Sequence, residues 1–294
     1  MSTIEKALEK FNGGEVRSTV DKTVVKSGKP LGQKTVDSSQ VSIPKSDVAS
    51  SRRKELDFEK LARLGFLTPE SGRTQLAEEM RNIKRPLLLN AAMNANEPNQ
   101  KKNLIMITSS QPSEGKSYTS LNLAMSIAKE RDKTVLLIDA DVARPGLTKT
   151  LAMDSEKGLV DYLIEDDLGV ADVMLKTNVP NFRFIPAGRK HIHSTELLSS
   201  QNMVALANEL SVRYPNRIVL FDSPPLLATS EAAVLAALVD QIVMVVEAEK
   251  TSKQELEEAL ALIDQNEKYV GLVLNKARGS YGSDYYGYYG SYAS

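Results

Sequence analysis

Leu104-Ile105-Met106-Ile107-Thr108-Ser109-Ser110-Gln111-Pro112-Ser113-Glu114-Gly115-Lys116-Ser117 is the stretch on which the reading of this chain turns. Leu104 to Thr108 is apolar without alternation, as a strand covered on both faces must be. A short polar loop follows, and a helical pattern from Lys116 to Arg131 begins at once. A phosphate chain is best held by backbone N–H groups at a helix N-terminus, with a Lys for its charge and a hydroxyl for Mg²⁺. Gly115, Lys116 and Ser117 supply those three elements. The pattern G-x-x-x-x-G-K-[ST] is broken by Ser110 at its first Gly, and the flanking strand and helix restore its specificity. Ser113, Glu114, Gly115, Lys116, Ser117 and Tyr118 are therefore the expected nucleotide-binding residues of the loop, with ATP and Mg²⁺ as cofactors.

The same grammar repeats outward from this unit. Further apolar runs lie at Val135 to Asp139, Phe182 to Ile185, Ile218 to Phe221, Ile242 to Val246 and Val270 to Leu274, and helical patterns at Ser194 to Tyr214, Ser230 to Leu238 and Thr251 to Glu267. Alternation of the two predicts an α/β fold, a doubly wound, mainly parallel sheet flanked by helices, of the P-loop NTPase kind. A domain of about 200 residues in this style buries roughly 70% of its unfolded surface, enough to stand alone.

Carboxylates close two of these strands. Leu136-Leu137-Ile138-Asp139-Ala140-Asp141, followed by Arg144-Pro145, places two acids at a strand's C-terminal edge, where ligands of open α/β sheets bind. Two acids one residue apart can divide metal binding from proton removal, or one can merely cap the turn. Phe221-Asp222-Ser223-Pro224-Pro225 supplies a third, and Asp222 is, with Ser117, the favoured Mg²⁺ anchor. Asn275, at the end of the last apolar run, is read either as an adenine-reading amide or as a turn former. His191 and His193, the only histidines, lack a third ligand nearby and are read as loop residues.

Outside this domain the composition changes. Ile4, Ala7, Leu8 and Phe11 fall at helical spacing, and residues 12 to 53 are a Ser, Thr, Lys and Gly-rich linker without periodicity, so residues 1–55 are expected to be a short amphipathic helix plus disordered linker. Residues 56–278 form the expected P-loop domain, of which 56–102 is a helical segment around the loop at Thr68-Pro69. Glu78, Arg81 and Lys84, three residues apart, share one helix face and predict a charged ridge. Six of the ten tyrosines, Tyr281, Tyr285, Tyr286, Tyr288, Tyr289 and Tyr292, crowd residues 279–294, read as a flexible tail.

The 294 residues carry a formal charge of −1, which makes no global case for nucleic acid. Without Cys, disulfides and thiolate metal sites are excluded. No stretch approaches the roughly 18 apolar residues of a membrane span, and the N-terminus lacks a signal pattern, so the expectation is a soluble, cytoplasmic protein.

The loop from Ser109 to Ser117, the Leu-Ile-Asp-Ala-Asp run with Arg144-Pro145, the Phe-Asp-Ser-Pro-Pro run and the tyrosine tail together resemble the bacterial tyrosine autokinases of capsule and exopolysaccharide export. Glu78-x-x-Arg81-x-x-Lys84 is similar to that family's ring-forming motif, with Lys where Arg is usual. The resemblance implies that Lys116 binds the β and γ phosphates, that Ser117 and Asp222 hold Mg²⁺, and that Asp139 is the base for the tyrosine hydroxyl with Asp141 beside it on metal or water, roles the carboxylates can exchange. Arg144 joins the catalytic set, and the tail tyrosines become phosphoacceptors. It further implies a homo-oligomer in the form of a ring, a cognate tyrosine phosphatase, and a separate membrane polysaccharide copolymerase (Wzz-like) as activator, which would recruit the chain to the inner face of the membrane. From Asn275 to Tyr292 the tail can extend on the order of 60 Å, enough to reach a neighbouring subunit.

A ParA/MinD-like positioning or partition ATPase is the competing reading. Such ATPases carry a second Lys five positions before the main one, where this chain has Gln111. A third reading makes the chain a nucleotide-gated scaffold with adhesive tyrosines.

Overall fold

The computed structural model describes residues 52–93, 102–213, 216–263 and 268–277. The expected helix at Ile4 to Phe11 and all six tail tyrosines lie outside these residues. Among the described residues eight strands form one sheet: β1 (Arg53–Lys54), β2 (Leu104–Ser109), β3 (Thr134–Asp139), β4 (Leu175–Thr177), β5 (Phe182–Ile185), β6 (Arg217–Asp222), β7 (Gln241–Glu247) and β8 (Tyr269–Asn275). Their order is β1-β4-β5-β3-β6-β2-β7-β8, with only β4 and β5 antiparallel. Ten helices accompany them among the described residues: α1 (Phe58–Arg63), α2 (Gln75–Met93), α3 (Lys116–Ala128), α4 (Gly146–Thr150), α5 (Leu159–Ile164), α6 (Val170–Val173), α7 (Ser194–Leu197), α8 (Gln201–Arg213), α9 (Glu231–Ala237) and α10 (Lys253–Ala261).

The central strands are apolar on both faces because each face has its own core. Leu104, Met106, Leu136, Ile138, Val219 and Phe221 pack beneath α8 to α10, whereas Ile105, Ile107, Val135, Leu137 and Leu220 pack beneath α1 to α3. Helix starts follow local chemistry: Asp57 accepts the Lys60 N–H at 2.9 Å ahead of α1, and Ser252 with Glu255 forms a reciprocal capping box ahead of α10.

Four expectations need correction. Arg53–Lys54, placed in the linker, is a strand, and Lys176 N–H donates to the Arg52 carbonyl at 2.9 Å. Two polar residues carry no period, so only the pairing with β4 reveals β1. The helix expected over Ser194 to Tyr214 is broken: the N–H groups of Ser199 and Ser200 turn back in tight i→i−3 bonds, and the Ser200 hydroxyl accepts Met203 N–H at 3.3 Å to start a second helix. Helix α10 starts at Lys253, because Ser252 caps it, and stops at Ala261, where the Leu262 N–H turns back to the Ala259 carbonyl at 3.2 Å. Strand β8 is not covered on both faces. It is an edge strand whose Leu272 and Leu274 are 57% and 65% exposed.

Among the described residues no helix is long and apolar enough to cross a membrane.

Candidate functional site

Strand β2 ends in a loop whose shape is held from three sides. Gly115 has φ of +102°, and a Cβ there would collide with the Asn275 amide nitrogen, so the position requires glycine twice over. Asn275 Nδ2 donates to the Glu114 carbonyl at 2.8 Å, and Lys276 Nζ donates to the Ser113 carbonyl at 2.7 Å, clamping the loop from the end of β8. The buried Glu114 carboxylate accepts the Gln111 N–H at 2.7 Å and the Thr251 hydroxyl, and Gln111 Nε2 donates to Glu255 Oε1 at 3.2 Å. Glu114 and Gln111 therefore brace the loop against the start of α10. Sequence reasoning missed Thr251, Glu255 and Lys276 because their spacing from the loop is visible only in three dimensions.

Three acids meet at the first turn of α3. Lys116 Nζ lies 3.0 Å from Asp141 Oδ2, with both side chains nearly buried. Asp139 and Asp222 close neighbouring strands in direct register and are both fully buried. Asp139 Oδ2 accepts the Thr148 N–H and hydroxyl, each at 2.8 Å, and Ser120 Oγ lies 3.0 Å from Asp222 Oδ1. The other oxygens, Asp139 Oδ1 and Asp222 Oδ2, have no hydrogen-bond partner. Burial and the neighbouring Asp222 charge push the Asp139 carboxyl well above the usual range against the Thr148 bonds. Asp222 is raised chiefly by burial, while Lys116 and the Ser117 and Ser120 hydroxyls hold it back.

The Asp222 oxygen without a partner, beside a helix N-terminus, an ammonium and the Ser117 hydroxyl, fits a phosphate-bound divalent cation. Among the described residues no group of three or more His, Cys, Asp or Glu forms a self-sufficient cation cage. A Mg²⁺ at this site would therefore complete its shell with phosphate and water oxygens, the habit of that ion.

The remaining candidates are dispersed. Arg144 is exposed; its backbone N–H donates to Asp141 Oδ1 at 3.2 Å, while the side chain faces solvent. Tyr118 turns toward the helical segment: its ring stacks obliquely on Phe66 at 5.2 Å and its hydroxyl donates to the Gly65 carbonyl at 2.9 Å. The charged ridge needs correcting. Glu78 and Arg81 pair in the open at 2.5 Å, but Lys84 is only 6% exposed, donating to the Ser126 carbonyl at 2.8 Å and pairing with Glu130 at 2.5 Å. Its long stem follows the α2–α3 seam and brings its charge to partners on the α3 side of it. His191 and His193 are exposed loop residues, their rings 6.0 Å apart.

Comparison with known proteins gives these residues a context. The family described as AAA domain matches residues 102–276. The chain is 35% identical over 188 residues to the tyrosine-protein kinase YwqD of Bacillus subtilis, covering 64% of this chain and 77% of that protein. It is 35% identical over 194 residues to the tyrosine-protein kinase CpsD of Streptococcus agalactiae, covering 64% of this chain and 81% of that one. Among solved structures, the kinase domain of Escherichia coli tyrosine kinase ETK superposes with a TM-score of 0.59 at 24% identity over 79% of this chain and 92% of its own, a likeness of fold.

Proposed function

This chain belongs to the bacterial tyrosine-protein kinases with an AAA-type P-loop domain, and on that premise we propose that it transfers the γ-phosphoryl group of ATP to the C-terminal tyrosines of neighbouring copies, regulating exopolysaccharide polymerisation and export. The observation that carries the reading is the convergence of Lys116, Ser117, Asp139, Asp141 and Asp222 on the N-terminus of α3.

Lys116 moves its ammonium from Asp141 onto the β and γ phosphates, exchanging one anionic partner for another while the loop N–H groups hold the phosphate oxygens. Ser117 with Asp222, and Asp141 through water, would hold Mg²⁺, which when bound neutralises charge on the transferring group. The tyrosine oxygen forms its bond to the γ phosphorus as the bond to the bridging oxygen breaks. ADP leaves, and the phenol proton goes to Asp139 Oδ1, the buried oxygen without a partner. Arg144, exposed at the rim, is suited to meet the incoming tail. Asn275 supports nucleotide binding by bracing the loop, and its amide is committed there to Glu114.

Each phosphate adds about −1.5 to −2 charge, so six would add roughly −9 to −12 per tail and push a ring apart. Glu78 and Arg81 are the exposed part of the surface that would close that ring. A membrane polysaccharide copolymerase would activate the kinase and recruit it to the membrane, and a tyrosine phosphatase would reset it.

Incubation of the purified chain with ATP and Mg²⁺, followed by detection of phosphotyrosine, tests the reading. Lys116→Met abolishes the signal, tail deletion removes most of it, and mixing the two variants restores labelling of the Lys116→Met chain. A wild-type chain that stays unlabelled with its membrane activator present would refute it.

A further inference from the structure

A second charged cleft lies at the opposite end of the sheet. Its volume is about 190 Å³, and Lys176, Arg183, Arg213 and Arg217 line it together with Val170 and Met174. Among the described residues none that is acidic lines it. Arg217 opens β6, whose last residue is Asp222, so the cleft sits about 17 Å along the strand from the phosphate loop at roughly 3.3 Å per residue.

The arrangement runs against what a sheet edge prefers. Arg53, Lys176 and Arg183 are direct cross-strand partners on β1, β4 and β5, three cations in one row, and like charges placed opposite one another destabilise a sheet. Arg183 is half-buried, its Nη1 donating only to the Phe182 carbonyl at 3.3 Å, and burial pulls its guanidinium below its ordinary pKa. Arg217 Nη1 approaches the Met174 sulfur at 3.7 Å, and Arg213 pairs with Glu209 at 2.6 Å on the outer rim. Arg183 is thus held by packing and one carbonyl, and it shares with Lys176 and Arg217 the wall of a cavity the size of one small anion. Planar guanidinium forks match phosphate oxygens.

We propose that this cleft is a phosphate-monoester binding site, with Arg183 and Lys176 as the direct contacts and Arg213 and Arg217 as the surrounding charge. The phosphorylated tyrosine of a tail is the source that suits it best, a choice of source that rests on the kinase reading. A monoester dianion offsets the row of like charges, and a phenyl ring finds Val170 and Met174 at the cleft wall. Captured there, a modified tail is withdrawn from the phosphate loop at the other end of the sheet.

The test uses the full chain carrying Lys116→Met, so that its own tail stays unmodified, and synthetic probes, so that binding is measured whether or not the chain is a kinase. Fluorescence anisotropy compares a peptide spanning residues 283–292 with phosphotyrosine at position 288, the same peptide unmodified, and phenyl phosphate as competitor. The phosphopeptide is expected to bind at least about tenfold tighter than the unmodified one, phenyl phosphate to displace it, and Lys176→Gln or Arg183→Gln each to weaken it about tenfold, the loss of one charge-assisted bond. Lys176 is exposed, so its substitution leaves the fold intact even if that of Arg183 does not. Should phenyl phosphate bind in a Lys176-dependent way while both peptides bind equally, the cleft takes a small free monoester and the tail is overturned as its source. Should neither substitution change phenyl phosphate binding, the site itself is refuted.

Discussion

Gly115→Ala probes the clamp between Asn275 and the phosphate loop. At φ of +102° an alanine is strained, by roughly 1–2 kcal/mol on the scale of left-handed backbone. Its Cβ also evicts the Asn275 amide, which loses its 2.8 Å bond to the Glu114 carbonyl, a loss of about 1 kcal/mol. The single substitution should therefore lower stability by about 2–3 kcal/mol. Asn275→Ala alone removes only the bond, about 1 kcal/mol. In the double variant that bond is lost once, so the combined effect falls short of the sum by about 1 kcal/mol, as expected for residues in contact. Urea titrations of the four proteins, compared at constant slope, measure this coupling directly. Additivity within about 0.3 kcal/mol would show that the amide and the glycine are energetically independent, and the clamp would be wrong.

The acid pair governs pH dependence. Because Asp139 and Asp222 have folded pKa values raised above that of the unfolded chain, the folded state holds protons that the unfolded state has released. The nucleotide-free protein should lose stability as pH climbs from about 4, the unfolded carboxylate value, to the pair's raised values. Asp139→Asn should flatten that slope in thermal melts taken across pH; a slope unchanged in the variant would show that the pair is not its source. Adding Mg²⁺ with a non-hydrolysable ATP analogue should raise the melting temperature of the wild type far more than that of Asp222→Asn, and equal shifts would argue against Asp222 as an anchor. On α2, Lys84→Ala should cost about 1–3 kcal/mol through its buried bonds, whereas Arg81→Ala should cost no more than about 0.5 kcal/mol and act instead on assembly size by light scattering.

How much of this was legible in the sequence follows from the range of each interaction. Five strands, β2, β3, β5, β6 and β7, were readable within a residue or two because burial on both faces leaves an unbroken apolar run, a signal internal to each segment. The short strands β1 and β4 carry no such signal, since two or three residues acquire their extended form from a partner. β8 misled in the other direction: Leu272 and Leu274 look like core residues, and only the strand order reveals an edge. The loop and its three acids announced themselves through position at strand ends. Lys84, by contrast, shares a helical face with Glu78 and Arg81, and periodicity has no means of telling a solvent-facing cation from one drawn into the seam between α2 and α3.

Local chemistry alone thus determined the alternation of strand and helix, the glycine turn opening α3 and the supply of carboxylates, because each depends on neighbours a few residues away. Tertiary structure decided which groups meet: Asn275 on Gly115, Asp139 beside Asp222, and four cations from β4, β5, α8 and β6 around one cleft. Those pairings depend on strand order and register, set by the closing of the whole sheet over its two cores, and no short stretch of chain contains that information.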